Sequence, residues 1–263
     1  MFGDEQLDGS ESRRGAGPGS TPATSPALVL AIAVLAAIDI ALDSRVPGTL
    51  PQHGLGVATA LVLAGALRLS APEERREALL CVVVSTAFEL FATQVWGLYH
   101  YRFGNVPLYV PPGHGLVFLF AAHAARTPLL ERHGRAFRGV VLALATAWAI
   151  GGLLRWGASA GARDGHGALY WPFFAGFVLF SRRFGGAFAA TFVLTSGIEL
   201  LGTALGTWHW ASEVPGLGVP SADPPSVVAG GYCVFGLAAS LLGQGIARSS
   251  AKKAAEKAAV TTT

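Results

Sequence analysis

The chain has 263 residues, of which 52% are hydrophobic and 13% charged, with a formal net charge of +3. A soluble domain carries about 25% charged residues. This balance, with a mean hydropathy of +0.48, excludes a disordered chain, a coiled coil and most cytosolic enzymes, and it points to the bilayer as solvent.

Residues 1–25 are rich in Gly, Ser, Pro and charged side chains. They bury too little apolar surface to offset the entropy of ordering and are predicted to be a disordered tail. From Ala27 onward, apolar stretches cover about 27–42, 54–68, 78–99, 112–125, 138–154, 168–181, 185–206 and 226–247. They predict an all-α, polytopic membrane helix bundle of about eight transmembrane helices, with seven as the rival count. The stretches 54–68 and 168–181 are the shortest against the roughly 20 residues that span a bilayer upright. The first stretch has no small-residue cleavage site and reads as a retained helix rather than a signal peptide. A basic tail, 248–263, follows the last stretch.

Basic residues collect in cytoplasmic loops, which gives a second reading of the count. With eight spans, one side holds Arg13, Arg14, Arg68, Arg75, Arg76, Arg126, Arg132, Arg135, Arg138, Arg182, Arg183, Arg248, Lys252, Lys253 and Lys257, and the other only Arg45, Arg102, Arg155 and Arg163. Both termini are therefore expected to be cytoplasmic, in an integral cell (inner) membrane. The basic pI of about 9.1 reports orientation, not a nucleic-acid partner. Cys81 and Cys233 sit inside apolar stretches, with neither a disulfide framework nor a CxxC zinc pattern.

A motif recurs. Ser85-Thr86-Ala87-Phe88-Glu89-Leu90, then Gly97 and Tyr99-His100-Tyr101, then Pro111-Pro112, is matched by Thr195-Ser196-Gly197-Ile198-Glu199-Leu200, then Gly206 and Trp208-His209-Trp210, then Pro224-Pro225. The two copies differ by one residue between Glu and Gly. The glutamates lie 110 positions apart, and the first two stretches shifted by that offset fall on the fifth and sixth. Two parallel four-helix repeats, 26–126 and 127–247, are expected, related by an axis along the membrane normal with a site at their interface.

Asp39, Glu89 and Glu199 lie about 17–21 Å into their spans at about 1.5 Å per residue. Intramembrane carboxyls are costly and mark functional sites facing the bundle interior. Apolar surroundings favour the neutral acid, which can then donate a proton. The competing reading is a pair of structural links between helices. His100 and His209 follow their glutamates by 11 and 10 residues, about 15–17 Å along a helix. Contact with the carboxyls would require the chain to turn at Gly97 or Gly206, or pairing across the copies. His114, between Gly113 and Gly115, has little bulk beside it and is expected to approach a ligand. Trp96, Tyr99, Tyr101, Trp208 and Trp210 fit either an interfacial aromatic belt or an inward wall for an apolar or cationic ligand. The proline-rich segments 102–111 and 211–225 are expected to be shaped lids. The histidine spacings match no zinc or oxygenase box, and no phosphate loop, dinucleotide fingerprint or haem motif is present. No metal or cofactor is expected.

The segment 89–111, ELFATQVWGLYHYRFGNVPLYVP, together with Glu199-Leu200-Leu201-Gly202-Thr203, resembles the carotenoid biosynthesis membrane-protein family that includes the bacterioruberin-type carotenoid hydratases. Glu89, Gly97, Tyr99, Tyr101, Val106, Pro107 and Pro111 carry the match, over about a quarter of the chain. The family's Gly-Thr after the glutamate occurs here in the second copy, and Gly113-His114-Gly115 replaces a tryptophan-bearing segment. The resemblance implies an integral membrane enzyme acting on a long apolar isoprenoid or carotenoid-like lipid by hydratase (lyase) chemistry. Catalytic roles then fall to Glu89, Glu199, His114, His100 and His209, and substrate contacts to Asp39, Trp96, Tyr99, Tyr101, Trp208 and Trp210. The other readings are a proton- or cation-coupled transporter or lipid-binding protein, and a non-catalytic scaffold. The Gly151-Gly152 pair, if it interrupts a helix, favours transport.

Overall fold

A computed structural model describes residues 26–154, 163–181 and 184–261. The expected tail 1–25 lies outside them, as do Arg155, Arg182 and Arg183. The described residues form eight α-helices: α1 Pro26–Asp43, α2 Thr49–Arg68, α3 Pro72–Leu90, α4 Val110–Ala124, α5 Pro128–Leu153, α6 Gly165–Phe180, α7 Gly185–Ala204 and α8 Tyr232–Thr261. Six helical segments are long and apolar enough to cross a membrane: Pro26–Asp43, Thr49–Arg68, Pro72–Trp96, Pro128–Leu153, Gly185–Ala204 and Val228–Ala254.

Local chemistry sets the helix starts. Pro72 opens α3 at a position whose N–H needs no partner, and Glu74 Oε2 accepts the Ala71 N–H at 3.1 Å. Thr127 and Asp164 cap α5 and α6 by accepting from Leu130 N and Gly167 N. The stretch expected from residue 54 begins earlier, at Thr49, because Gln52 is fully buried and donates to Asp43 Oδ1 at 2.7 Å. That lengthens α2 to 20 residues. The two helices outside these six segments are α4 and α6, at 15 and 16 residues. Helix α4 lies inside the bundle against α1, α2, α3 and α7, so its length is set by neighbouring helices. The Gly151-Gly152 pair does not interrupt α5, which runs on to Leu153. Part of the expected basic tail is helical, because α8 continues to Thr261.

Leu30, Leu61, Val83, Leu144, Phe173, Phe180 and Leu241 point outward. An apolar exterior of this extent is costly in water and, with the six apolar helices, marks a membrane protein. In lipid, helix association relies on close packing and on polar bonds. Ala78, Ala145, Ala189 and Ala239 accordingly sit at interhelical contacts with no exposure. Phe174 stacks on Phe192 at 4.2 Å in the core of α5, α6 and α7.

Among the described residues, one long-range ribbon caps one end of the bundle. Helix α3 runs into a π-helical turn, Phe91–Trp96, and stops at Gly97, whose φ of 73° is the left-handed region open to glycine. Helix α7 stops at Gly206 with φ 69°. After these stops, β1 Tyr99–Tyr101 and β2 Trp208–Trp210 pair antiparallel, Tyr99 opposite Trp210, His100 opposite His209 and Tyr101 opposite Trp208. Flanking bonds repeat the pattern: Arg102 N donates to Thr207 O at 2.9 Å and Ala211 N to Leu98 O at 3.0 Å. A short hairpin, β3 Glu213–Val214 with β4 Val219–Pro220, lies within the second proline-rich segment.

Candidate functional site

Glu89 is the last residue but one of α3, just before the π-helical turn, and Glu199 lies in the last two turns of α7; the partners of each come from the strand that follows. In β1, side chains alternate across the strand, so Tyr99 and Tyr101 face inward together. Both phenols donate to Glu89 Oε2, at 2.6 and 2.9 Å. In β2, Trp208 and Trp210 do the same with their indole N–H groups, at 3.0 and 3.1 Å from Glu199 Oε2. Burial, and then the nearby Glu89 carboxyl, hold the Tyr99 and Tyr101 phenols above their ordinary range, so they remain donors.

The same alternation corrects the expectation for the middle residues. His100 and His209 point away from the carboxyls because their neighbours point inward. His100 is exposed, and the His209 side chain, 60% exposed, pairs through Nδ1 with Asp223 Oδ2 at 2.8 Å. The chain does turn at Gly97 and Gly206, but the turn brings the aromatics to the glutamates and not the histidines. Trp96 is likewise directed elsewhere: its indole donates to Pro215 O at 3.0 Å and ties the end of the π-helical turn to the second proline-rich segment.

His114 does reach the site. It is 6% exposed, and its Nδ1 lies 3.0 Å from Val110 O. A carbonyl only accepts, so Nδ1 carries a proton, and in the neutral ring Nε2 is then the unprotonated nitrogen. That Nε2 has no hydrogen-bond partner and lies 3.5 Å from Glu89 Oε1. The ring stacks on Tyr232, centroids 5.4 Å apart, and the Tyr232 hydroxyl donates to Glu199 Oε1 at 2.7 Å. Tyr232 thus joins the surroundings of both glutamates. Sequence reasoning passed over it. The available signal was a phenol within an apolar stretch, where a buried hydroxyl needs a partner.

A cavity of about 80 Å³ brings these groups together, lined by Glu89, Glu199, Asp39, His114, Tyr99, Tyr101, Trp208 and Tyr232 with apolar side chains of α1, α4 and α7. Asp39 contributes from α1, its Oδ2 2.6 Å from the Thr59 hydroxyl. A second opening, about 180 Å³, reaches Glu89 and Glu199 from the flank of Phe88, Val234 and Phe235. Phe88 and Val234 are exposed on the apolar exterior, so this opening faces the side of the bundle. Trp210 lines it, as does Tyr170.

Gly202 is required by this geometry: a Cβ there would lie 2.0 Å from the Trp208 ring. Among the described residues, no three His, Cys, Asp or Glu side chains converge as metal ligands. The chemical capacity of the site is that of two carboxyls, an imidazole with a free nitrogen lone pair and aromatic walls, in apolar surroundings. No protein-family model matches the chain, and neither a curated protein nor a solved structure is similar to it.

Proposed function

We propose that the chain is an integral membrane enzyme that adds water to an alkene of a long apolar isoprenoid or carotenoid-like lipid. The observation that carries this reading is the shared cavity: one carboxyl from each copy of the motif opens into it, beside an imidazole and between aromatic faces. In the proposed step, Glu89 gives the proton on Oε1 to one alkene carbon. A C–H bond forms, the π pair is consumed, and the positive charge on the other carbon is faced by the Tyr99, Trp208 and Tyr232 rings. Water forms the C–O bond and loses its extra proton to His114 Nε2, from which it returns to Glu89 Oε1. Glu199, held by three donors, supplies fixed negative charge near the developing cation. Asp39 and Trp210 bound the volume in which the lipid lies. The lateral opening beside Phe88 and Val234 suits a substrate that arrives from the membrane.

The proposed topology is eight helices crossing as two parallel four-helix halves with both termini cytoplasmic. The β1–β2 register supports it: an antiparallel pair in which each strand serves its own glutamate is what an axis along the membrane normal would generate. The rival, a proton- or cation-coupled transporter, requires alternating water access to the carboxyls from both faces.

The test is lipid extraction from cells with and without the gene, read by mass spectrometry. A product heavier than its precursor by one water, absent with Glu89→Gln, is expected. Identical lipid profiles for wild type, Glu89→Gln and Glu199→Gln would refute the enzyme reading.

A further inference from the structure

A separate cleft of about 470 Å³ lies between α3, α4, α7 and α8. Its far end carries Glu73, Glu74, Glu77 and Arg126, and its near end stops at His114 and Tyr232. Some of its polar atoms are met within the protein, Glu77 Oε2 by the Ser240 hydroxyl at 2.8 Å, and others are not. Arg126 holds Glu74 through Nη1, but Arg126 Nε and Nη2 are buried without partners, as is His114 Nε2 at the other end. Buried polar groups are almost always satisfied by protein or by ordered water. An apolar lipid tail would leave every one of these atoms unpaired, whereas water would satisfy them. At about 30 Å³ each, there is room for on the order of ten waters.

We infer that this cleft is a water-filled antechamber that feeds the reaction cavity from the Glu74–Arg126 end of the bundle, with His114 and Tyr232 as the partition between the two. The inference rests on the hydratase reading and supplies its second substrate. One water is consumed per alkene, and its extra proton passes from the oxygen to His114 Nε2 and back to Glu89. The cleft therefore carries neutral water with no net charge, separately from the lipid, which uses the lateral opening.

Both cysteines line the cleft, and Cys81 Sγ lies 3.8 Å from the His114 carbonyl, so the wild-type protein reports on it without substrate. The experiment treats opened membranes with a membrane-impermeant trimethylammonium methanethiosulfonate and follows thiol modification by mass. Cys81 and Cys233 are expected to react. Gly236→Phe, at a cleft-lining position where an added Cβ would meet Phe118 at an ordinary 4.0 Å, is expected to slow the reaction about tenfold by blocking access. A surface control, Ala251→Cys, keeps its rate in the blocked protein. Reaction of the native cysteines only with membrane-permeant N-ethylmaleimide would show a dry or lipid-filled cleft and overturn the inference. So would equal rates with and without the block while the blocked protein keeps its wild-type thermal midpoint. Failure of the hydratase reading shows in the lipid profile alone and leaves the thiol result unchanged.

Discussion

The surroundings of Glu89 and Glu199 are built by the same local plan and end with different chemistry. In each, a helix stops at a left-handed glycine and the following strand returns two aromatic donors to one carboxyl oxygen. The donors differ. Indole N–H groups only donate, whereas phenols donate and accept. With Tyr232 on its other oxygen, Glu199 is occupied on both sides. Glu89 keeps Oε1 directed at the free lone pair of His114. One carboxyl is fixed, and the other has a route for a proton. The same framework therefore supports two roles through the choice of Tyr or Trp and through one histidine.

Substitutions can break or sharpen this contrast. Glu89→Gln should lower hydration about 10²–10⁴-fold, the range for a lost general acid, measured as product per protein in membranes. Glu199→Gln should cost about 10²-fold through lost charge stabilisation. Equal pH profiles for the two variants would erase the distinction between them. Gly202→Ala forces the Trp208 ring aside and should destabilise the protein by about 1–3 kcal/mol, seen as a lower thermal midpoint in detergent. The equivalent position in the first copy is already Ala92, fully buried, and Ala92→Gly should cost only about 1 kcal/mol or less. Tyr232→Phe removes one donor from Glu199 Oε1 and should cost about 1–2 kcal/mol by the same measurement. His100→Ala and His209→Ala should change stability by less than about 0.5 kcal/mol and leave hydration unaltered. A large loss with either would return these histidines to the site.

Most helices were legible because lipid demands long apolar runs, and the duplicated Glu and Gly positions were legible because identity at matched spacing survives in the sequence. Less was legible where period decided orientation. Tyr99-His100-Tyr101 reads as a continuation of the helix ending near residue 99, yet after Gly97 it is a strand, and a change from period 3.6 to period 2 reverses which residues face inward. Tyr232 was hidden because nothing in the first copy corresponds to it. The start of α2 was missed because its first turn is held by Gln52 and Asp43, a tertiary bond that hydropathy does not register.

The π-helical turn at Phe91–Trp96 accounts for the one-residue difference between the copies. A wider loop in the backbone absorbs the extra residue before Gly97, and Tyr99 and Tyr101 arrive at Glu89 in the register that Trp208 and Trp210 hold at Glu199. A length change that would have rotated everything downstream by some 100° is thus confined to a single coil of the chain. Duplicated halves joined through such a ribbon are free to gain or lose a residue independently, so divergence of one partner does not unseat the other.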